Sequence, residues 1–162
     1  MSTVSIPSSD DLAQLAEAVG LARLAREHGN HPFGALVVAS DGRVVRAENT
    51  VVSTGDPTGH AETNLVRLAA AQLTPAELAT STLYTSTEPC AMCSGAIFWA
   101  GIGRIFYALG GNELIELLPA GSAEFSLGMP SREVFARGGH PTTVVGPVEV
   151  GGSREVHAGF WG

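Results

Sequence analysis

The stretch Leu83-Tyr84-Thr85-Ser86-Thr87-Glu88-Pro89-Cys90-Ala91-Met92-Cys93-Ser94-Gly95-Ala96-Ile97-Phe98-Trp99-Ala100, followed after a short break by Ile105-Phe106-Tyr107-Ala108, carries the pattern that decides the fold class. Leu83 to Ser86 is short and rich in β-prone residues, and reads as a strand. Pro89 to Ala100 reads as a helix, with its proline in the first turn, where a missing N–H costs nothing. Ile105 to Ala108 reads as the next strand.

Working outward, Ala61 to Gln72 is helical, with Leu65, Leu68 and Ala69 on one face. Ser53 to Gly59 is made of turn formers and reads as a loop. Further upstream, Ala35-Leu36-Val37-Val38 and Val44, Val45 and Ala47 form the two arms of a hairpin around Ser40-Asp41-Gly42. Ser9 is the expected N-cap of a first helix, with Asp10 and Asp11 at the positive end of its dipole and Gly29-Asn30 at its end. Downstream come short helices near Glu113 to Leu118 and Ser131 to Ala136, then a strand near Val144 to Val150. Residues 138–162 form a glycine-rich tail, mobile until Phe160 and Trp161, that is expected to cover the functional site. Helix, two strands, then alternating helix and strand predict one α/β domain over residues 1–162, a sandwich around a mixed sheet.

The 162 residues, 44% of them hydrophobic and 15% charged, suit one globular domain. No run approaches the ~18 apolar residues of a membrane-spanning helix. Met1 to Ser9 lacks the layout of a signal peptide, so a cytoplasmic protein without membrane attachment is expected. The net charge is −7, and every basic residue is an arginine. A protein that grips a phosphate backbone needs a basic face, which disfavours long nucleic acids as partners.

The chemistry concentrates at two loop-to-helix junctions, Pro57-Thr58-Gly59-His60-Ala61-Glu62 and Thr87-Glu88-Pro89-Cys90-Ala91-Met92-Cys93. The helix dipole favours thiolate at Cys90 and Cys93, the only cysteines in the chain. With His60 they make three zinc ligands, and a catalytic zinc keeps three protein ligands and leaves its fourth position to water or hydroxide. His28, His31, His140 and His157 show no metal-ligand spacing. Glu62, two residues after His60, is placed to take a proton from that water and redeliver it to a departing amine. Two other readings stand beside this one: a C-x-x-C redox pair, and a structural zinc knuckle completed by Glu62 or another histidine.

His60-Ala61-Glu62 followed by Pro89-Cys90-x-x-Cys93 matches the signature of zinc nucleobase deaminases. The chain resembles the cytidine deaminase-like superfamily, and within it the branch of bacterial guanine deaminases and tRNA adenosine deaminases. The resemblance runs from Pro32-Phe33-Gly34-Ala35 to Ile105-Phe106-Tyr107. It implies a three-layer α/β/α sandwich around a five-stranded mixed sheet, and a homodimer. It also implies one Zn2+ per chain on His60, Cys90 and Cys93, with Glu62 as proton shuttle. By the same resemblance Asn49 hydrogen-bonds the substrate ring, backbone groups near Ala61 and Glu88 meet the ring and its amine, and Phe33 and Trp99 line the pocket.

The expected activity is hydrolytic deamination of a free amino-substituted nucleobase, releasing ammonia: a guanine-like purine, or a cytosine- or triazine-type ring. Deamination of adenosine in tRNA is the alternative, opposed by the acidic balance of the chain; a non-catalytic deaminase-like scaffold is the second, opposed by the presence of Glu62 and all three ligands. Glu116 or Glu124, with an aromatic residue from the tail, is expected to close the pocket and read ring N–H groups.

Overall fold

The computed structural model describes residues 6–162, so Met1 to Ser5, part of the stretch judged free of a signal peptide, lie outside it. A five-stranded mixed sheet has the order β2-β1-β3-β4-β5, with β1 Gly34–Val38, β2 Val44–Glu48, β3 Thr82–Thr87, β4 Arg104–Leu109 and β5 Thr143–Val145. β1 runs antiparallel to both β2 and β3, whereas β3, β4 and β5 are parallel. The helices are α1 Ser9–Glu27, α2 Val51–Thr54, α3 Ala61–Gln72, α4 Pro75–Ala79, α5 Ala91–Ala100, α6 Gly111–Leu117 and α7 Ser131–Ala136. Among the described residues, no helix is long and apolar enough to cross a membrane.

Strand side chains alternate between faces, and that alternation sorts the core into two halves. Leu36, Tyr84 and Phe106 stand in register on one face and pack beneath Leu15, Ala18, Val19 and Leu21 of α1. Ala35, Val37, Leu83 and Ile105 face the other way, against Leu65 and Ala69 of α3, Ile97 of α5 and Phe135 of α7. This is the three-layer sandwich expected from the resemblance.

Several details differ from the sequence reading. The last strand is only Thr143–Val145, short of the expected Val144 to Val150, and the expected loop from Ser53 to Gly59 begins inside α2. The N-cap of α1 is Ser8, not Ser9: its hydroxyl accepts from the Asp11 N–H at 3.1 Å while Asp11 accepts from the Ser8 N–H at 2.8 Å. That reciprocal pair satisfies two helix-end donors, which Ser9 cannot do because the third residue after it is Leu12. The tail is also more organised than its glycines suggest. After β5 it makes a single 3-10 turn, Glu155–His157, and Arg26 Nη1 of α1 donates to the carbonyls of Val156 at 2.7 Å and Ala158 at 2.8 Å.

Candidate active site

The site forms where β3 ends, β1 begins and the N-termini of α3 and α5 converge. His60 is the N-cap residue of α3 and Cys90 that of α5, both in extended backbone conformation. Pro89 therefore precedes the cap rather than opening the first turn, a one-residue shift that puts Cys90 itself at the positive end of the dipole. Neither side chain makes a capping hydrogen bond. Both are thereby left to face each other across the junction.

His60 Nδ1 lies 3.7 Å from Cys90 Sγ and 3.5 Å from Cys93 Sγ, and the three donor atoms all fall within 4.8 Å of one another. Zinc bond lengths in a tetrahedron place nitrogen and sulfur ligands about 3.5 Å apart. The donor set and its spacing thus fit zinc. The Cys90 thiol is pulled down to about 4, first by its hydrogen bond with Cys93 and then by His60. Cys93 is pushed up by the same bond and by burial. Both readings of the cysteines, as redox pair or as metal ligands, needed their surroundings, and an imidazole nitrogen within ligand distance of both sulfurs favours the metal.

Glu62 is buried at the second position of α3. Burial pushes its carboxyl above the usual range, and a hydrogen bond from the Thr85 hydroxyl at 2.7 Å opposes the rise. The other carboxylate oxygen stands 3.5 Å from Cys93 Sγ. An acid poised in this way suits proton transfer in both directions. The sequence reading missed Thr85; its only signal there is a hydroxyl at the end of a strand that leads into the cysteine motif.

Asn49 follows β2 and is 1% exposed. Its Oδ1 accepts from the Val51 N–H at 3.0 Å, which orients the amide. Its own N–H donates to the Phe33 carbonyl at 3.1 Å. Phe33 is half-buried and packs on the core cluster that contains Ala61. Ala61 begins α3, so its N–H has no partner within the helix. The Glu88 side chain is engaged elsewhere: it accepts from the Gly111 N–H at 3.0 Å, the Ser131 N–H at 3.0 Å and the Ser131 hydroxyl at 2.7 Å. What it has left for a ligand is backbone.

Three expected pocket residues are not brought here. Trp99 is 86% exposed at the far end of α5, beside Phe98, because the helix turns that position outward. Glu116 is exposed and faces Arg154 Nη2 at 3.5 Å, and Glu124 is exposed in the 3-10 turn Ser122–Phe125. Neither is a buried carboxylate, which the reading of ring N–H groups requires. The tail contributes rings instead. His157 lies 5.4 Å from Phe33, and Trp161 lies 6.0 Å from Phe33 and 5.3 Å from His31.

Residues 8–109 match the family of the cytidine and deoxycytidylate deaminase zinc-binding region. The chain belongs to this deaminase family. A probable cytosine deaminase of Schizosaccharomyces pombe is 43% identical to it over 154 residues, covering 95% of this chain and 94% of the relative. The guanine deaminase structure from Bacillus subtilis superposes with a TM-score of 0.63 at 32% identity, covering 86% of this chain and 87% of that one. A tRNA:A34 deaminase structure gives a TM-score of 0.65 at 29% identity, with 89% and 98% covered. Among its relatives the deaminase thus has enzymes named for a free pyrimidine, a free purine and a tRNA base. The family's zinc-binding region contains His60, Glu62, Cys90 and Cys93 of this deaminase.

Proposed function

We propose that the protein is a zinc-dependent hydrolytic deaminase of free amino-substituted nucleobases, with cytosine as its first substrate and a guanine-like purine as its second. The observation that carries the reaction type is the buried Glu62 carboxyl, held by Thr85 beside the His60, Cys90 and Cys93 donor atoms. The preference for cytosine is supported by the S. pombe relative, whose likeness covers 95% of this chain, and the acidic balance of the chain disfavours tRNA.

When bound at His60, Cys90 and Cys93, zinc supplies Lewis acidity that brings the pKa of water towards ~7. Glu62 takes the proton of the attacking water and passes it to the ring nitrogen next to the reacting carbon. The C–O bond forms as the ring C=N bond becomes single. Glu62 then carries the second proton of that oxygen to the amine, the C–N bond breaks, and ammonia leaves as the carbonyl forms. Asn49 and the Ala61 N–H hold the ring, and the Glu88 carbonyl accepts from the amine. Phe33 offers a flat wall for stacking. The tail closes over the ring, excluding bulk water during both proton transfers.

Ammonia release from cytosine, guanine, adenine, amino-triazines, their nucleosides and a tRNA tests this. Free cytosine is expected to turn over, whereas Glu62→Ala retains zinc and is inactive. Removing the metal with a chelator is expected to abolish turnover, and added zinc to restore it. Full activity of Glu62→Ala, or turnover confined to tRNA, overturns the proposal.

A further inference from the structure

His157, in the tail, is 3% exposed, and its two ring nitrogens have different surroundings. Nδ1 lies 3.2 Å from Trp161 Nε1. An indole N–H can only donate, so Nδ1 is the acceptor and carries no proton. A neutral imidazole then has its hydrogen on Nε2. Burial, with the charge of Arg26 second, lowers the pKa of His157 to about 4, which keeps the ring neutral at physiological pH. The Nε2 atom is buried and has no partner among the described residues. An orphaned donor of this kind is destabilising, a penalty that a ligand acceptor removes.

The neighbours of the ring connect it to residues of the site. The His157 ring stands 5.4 Å from Phe33, whose carbonyl holds Asn49, and it stacks on Trp161 at 6.1 Å. Trp161 in turn meets His31, whose pKa is lowered by burial and then by His60. Arg26 fixes the backbone on either side through the carbonyls of Val156 and Ala158. The tail therefore packs a neutral His157 ring against Phe33 and Trp161, the rings nearest Asn49 and His31.

We propose that His157 determines substrate specificity: its Nε2–H donates to a carbonyl oxygen of the ring, so that the enzyme selects rings bearing both an amino and an oxo group. The proposal rests on the free-base reading above and refines it. A carboxylate at this place would favour rings that present N–H, whereas a donor without acceptor capacity favours cytosine and guanine over adenine or 4-aminopyrimidine, which have no oxo group. Trp161 acts through His157, as the positioning residue that sets its tautomer.

The test uses the zinc-loaded full-length protein. The ratio of kcat/KM for cytosine to that for 4-aminopyrimidine is expected to fall about 10–100-fold in His157→Phe, which keeps a flat ring without the donor. His157→Gln, which retains an N–H, is expected to restore part of the ratio, and Trp161→Phe to lower it less than His157→Phe does. An unchanged ratio in His157→Phe overturns the proposal. Nitrogen-15 NMR of the wild-type histidine rings reads the same claim without turnover. His157 is expected to show a protonated Nε2 and a bare Nδ1, and the Nε2–H proton to move downfield with uracil but not with unsubstituted pyrimidine. Protonation at Nδ1, or no response to uracil, refutes the role of His157 even when deamination proceeds. Absence of ammonia from every free base instead refutes the free-base reading, and the uracil response then decides the role of His157 by itself.

Discussion

Thr85 and Glu88 lie three residues apart at the end of β3 and serve the site in different ways. The Thr85 hydroxyl meets Glu62 Oε1 at 2.7 Å and also lies 3.2 Å from the Thr87 carbonyl. It can donate to an ionised Glu62, or accept from a protonated one and donate to Thr87 instead. A hydrogen bond to a charged group is worth about 1.5–3 kcal/mol. Thr85→Val, which keeps the shape, is therefore expected to lower kcat about 10–100-fold with little change in KM, and Thr85→Ser to restore it. Steady-state kinetics with zinc content measured alongside checks this, and unchanged kcat in the valine variant refutes it. Glu88 instead joins β3 to the first residues of α6 and α7 through three accepted bonds. Glu88→Gln turns an amide N–H toward one of those donors, so stability is expected to fall by about 1–3 kcal/mol in urea denaturation. An unaltered midpoint would show that these bonds do not hold the helices.

The elements bring the site together through their ends rather than their faces. α3 and α5 pack against each other, and that contact brings the His60 and Cys90 caps together from junctions 30 residues apart. α1 lies close on the opposite face, and Gly34 permits this approach. A Cβ at Gly34 would come within 2.4 Å of Ala22 N and 2.5 Å of Leu21 Cβ. The first of these is backbone, so α1 would have to move bodily. Gly34→Ala is expected to destabilise by about 1–3 kcal/mol through overpacking, read as a lower urea midpoint. Wild-type stability in that variant would contradict the close packing of α1 on β1. The long helices and the first four strands were legible because their apolar spacing is regular and their ends carry caps or glycines. α2 and α4 were not: each is about one turn long, too short for a period to register.

At the scale of the whole molecule, the tail returns across the sheet's end and is held by Arg26 on α1 and by the rings of Phe33 and His31. Its stability is linked to pH through His157. The folded value is about 4, against about 6.5 for an exposed histidine. The unfolded chain takes up a proton near pH 6.5, while the folded chain resists until about pH 4. The contribution of His157 is therefore constant above about pH 6.5 and is lost progressively as pH falls towards 4. The difference in Tm between wild type and His157→Gln is expected to shrink from pH 7.5 to pH 5. A difference independent of pH over that range would place the His157 pKa near its ordinary value.

The sequence by itself determined the order of the long helices and the first four strands, the α/β class, and the identity of His60, Glu62, Cys90 and Cys93 as a chemical set. Those features are local: periodicity, caps, and ligand types spaced within single junctions. Only the tertiary structure decided which distant residues complete the site. It placed Thr85 on Glu62 and put His157 and Trp161 against Phe33 and His31, while leaving Trp99, Glu116 and Glu124 outside. These contacts span up to 130 residues, and no local spacing encodes them. They arise when strand alternation and the docking of α3, α5 and the tail bury one set of side chains and expose another.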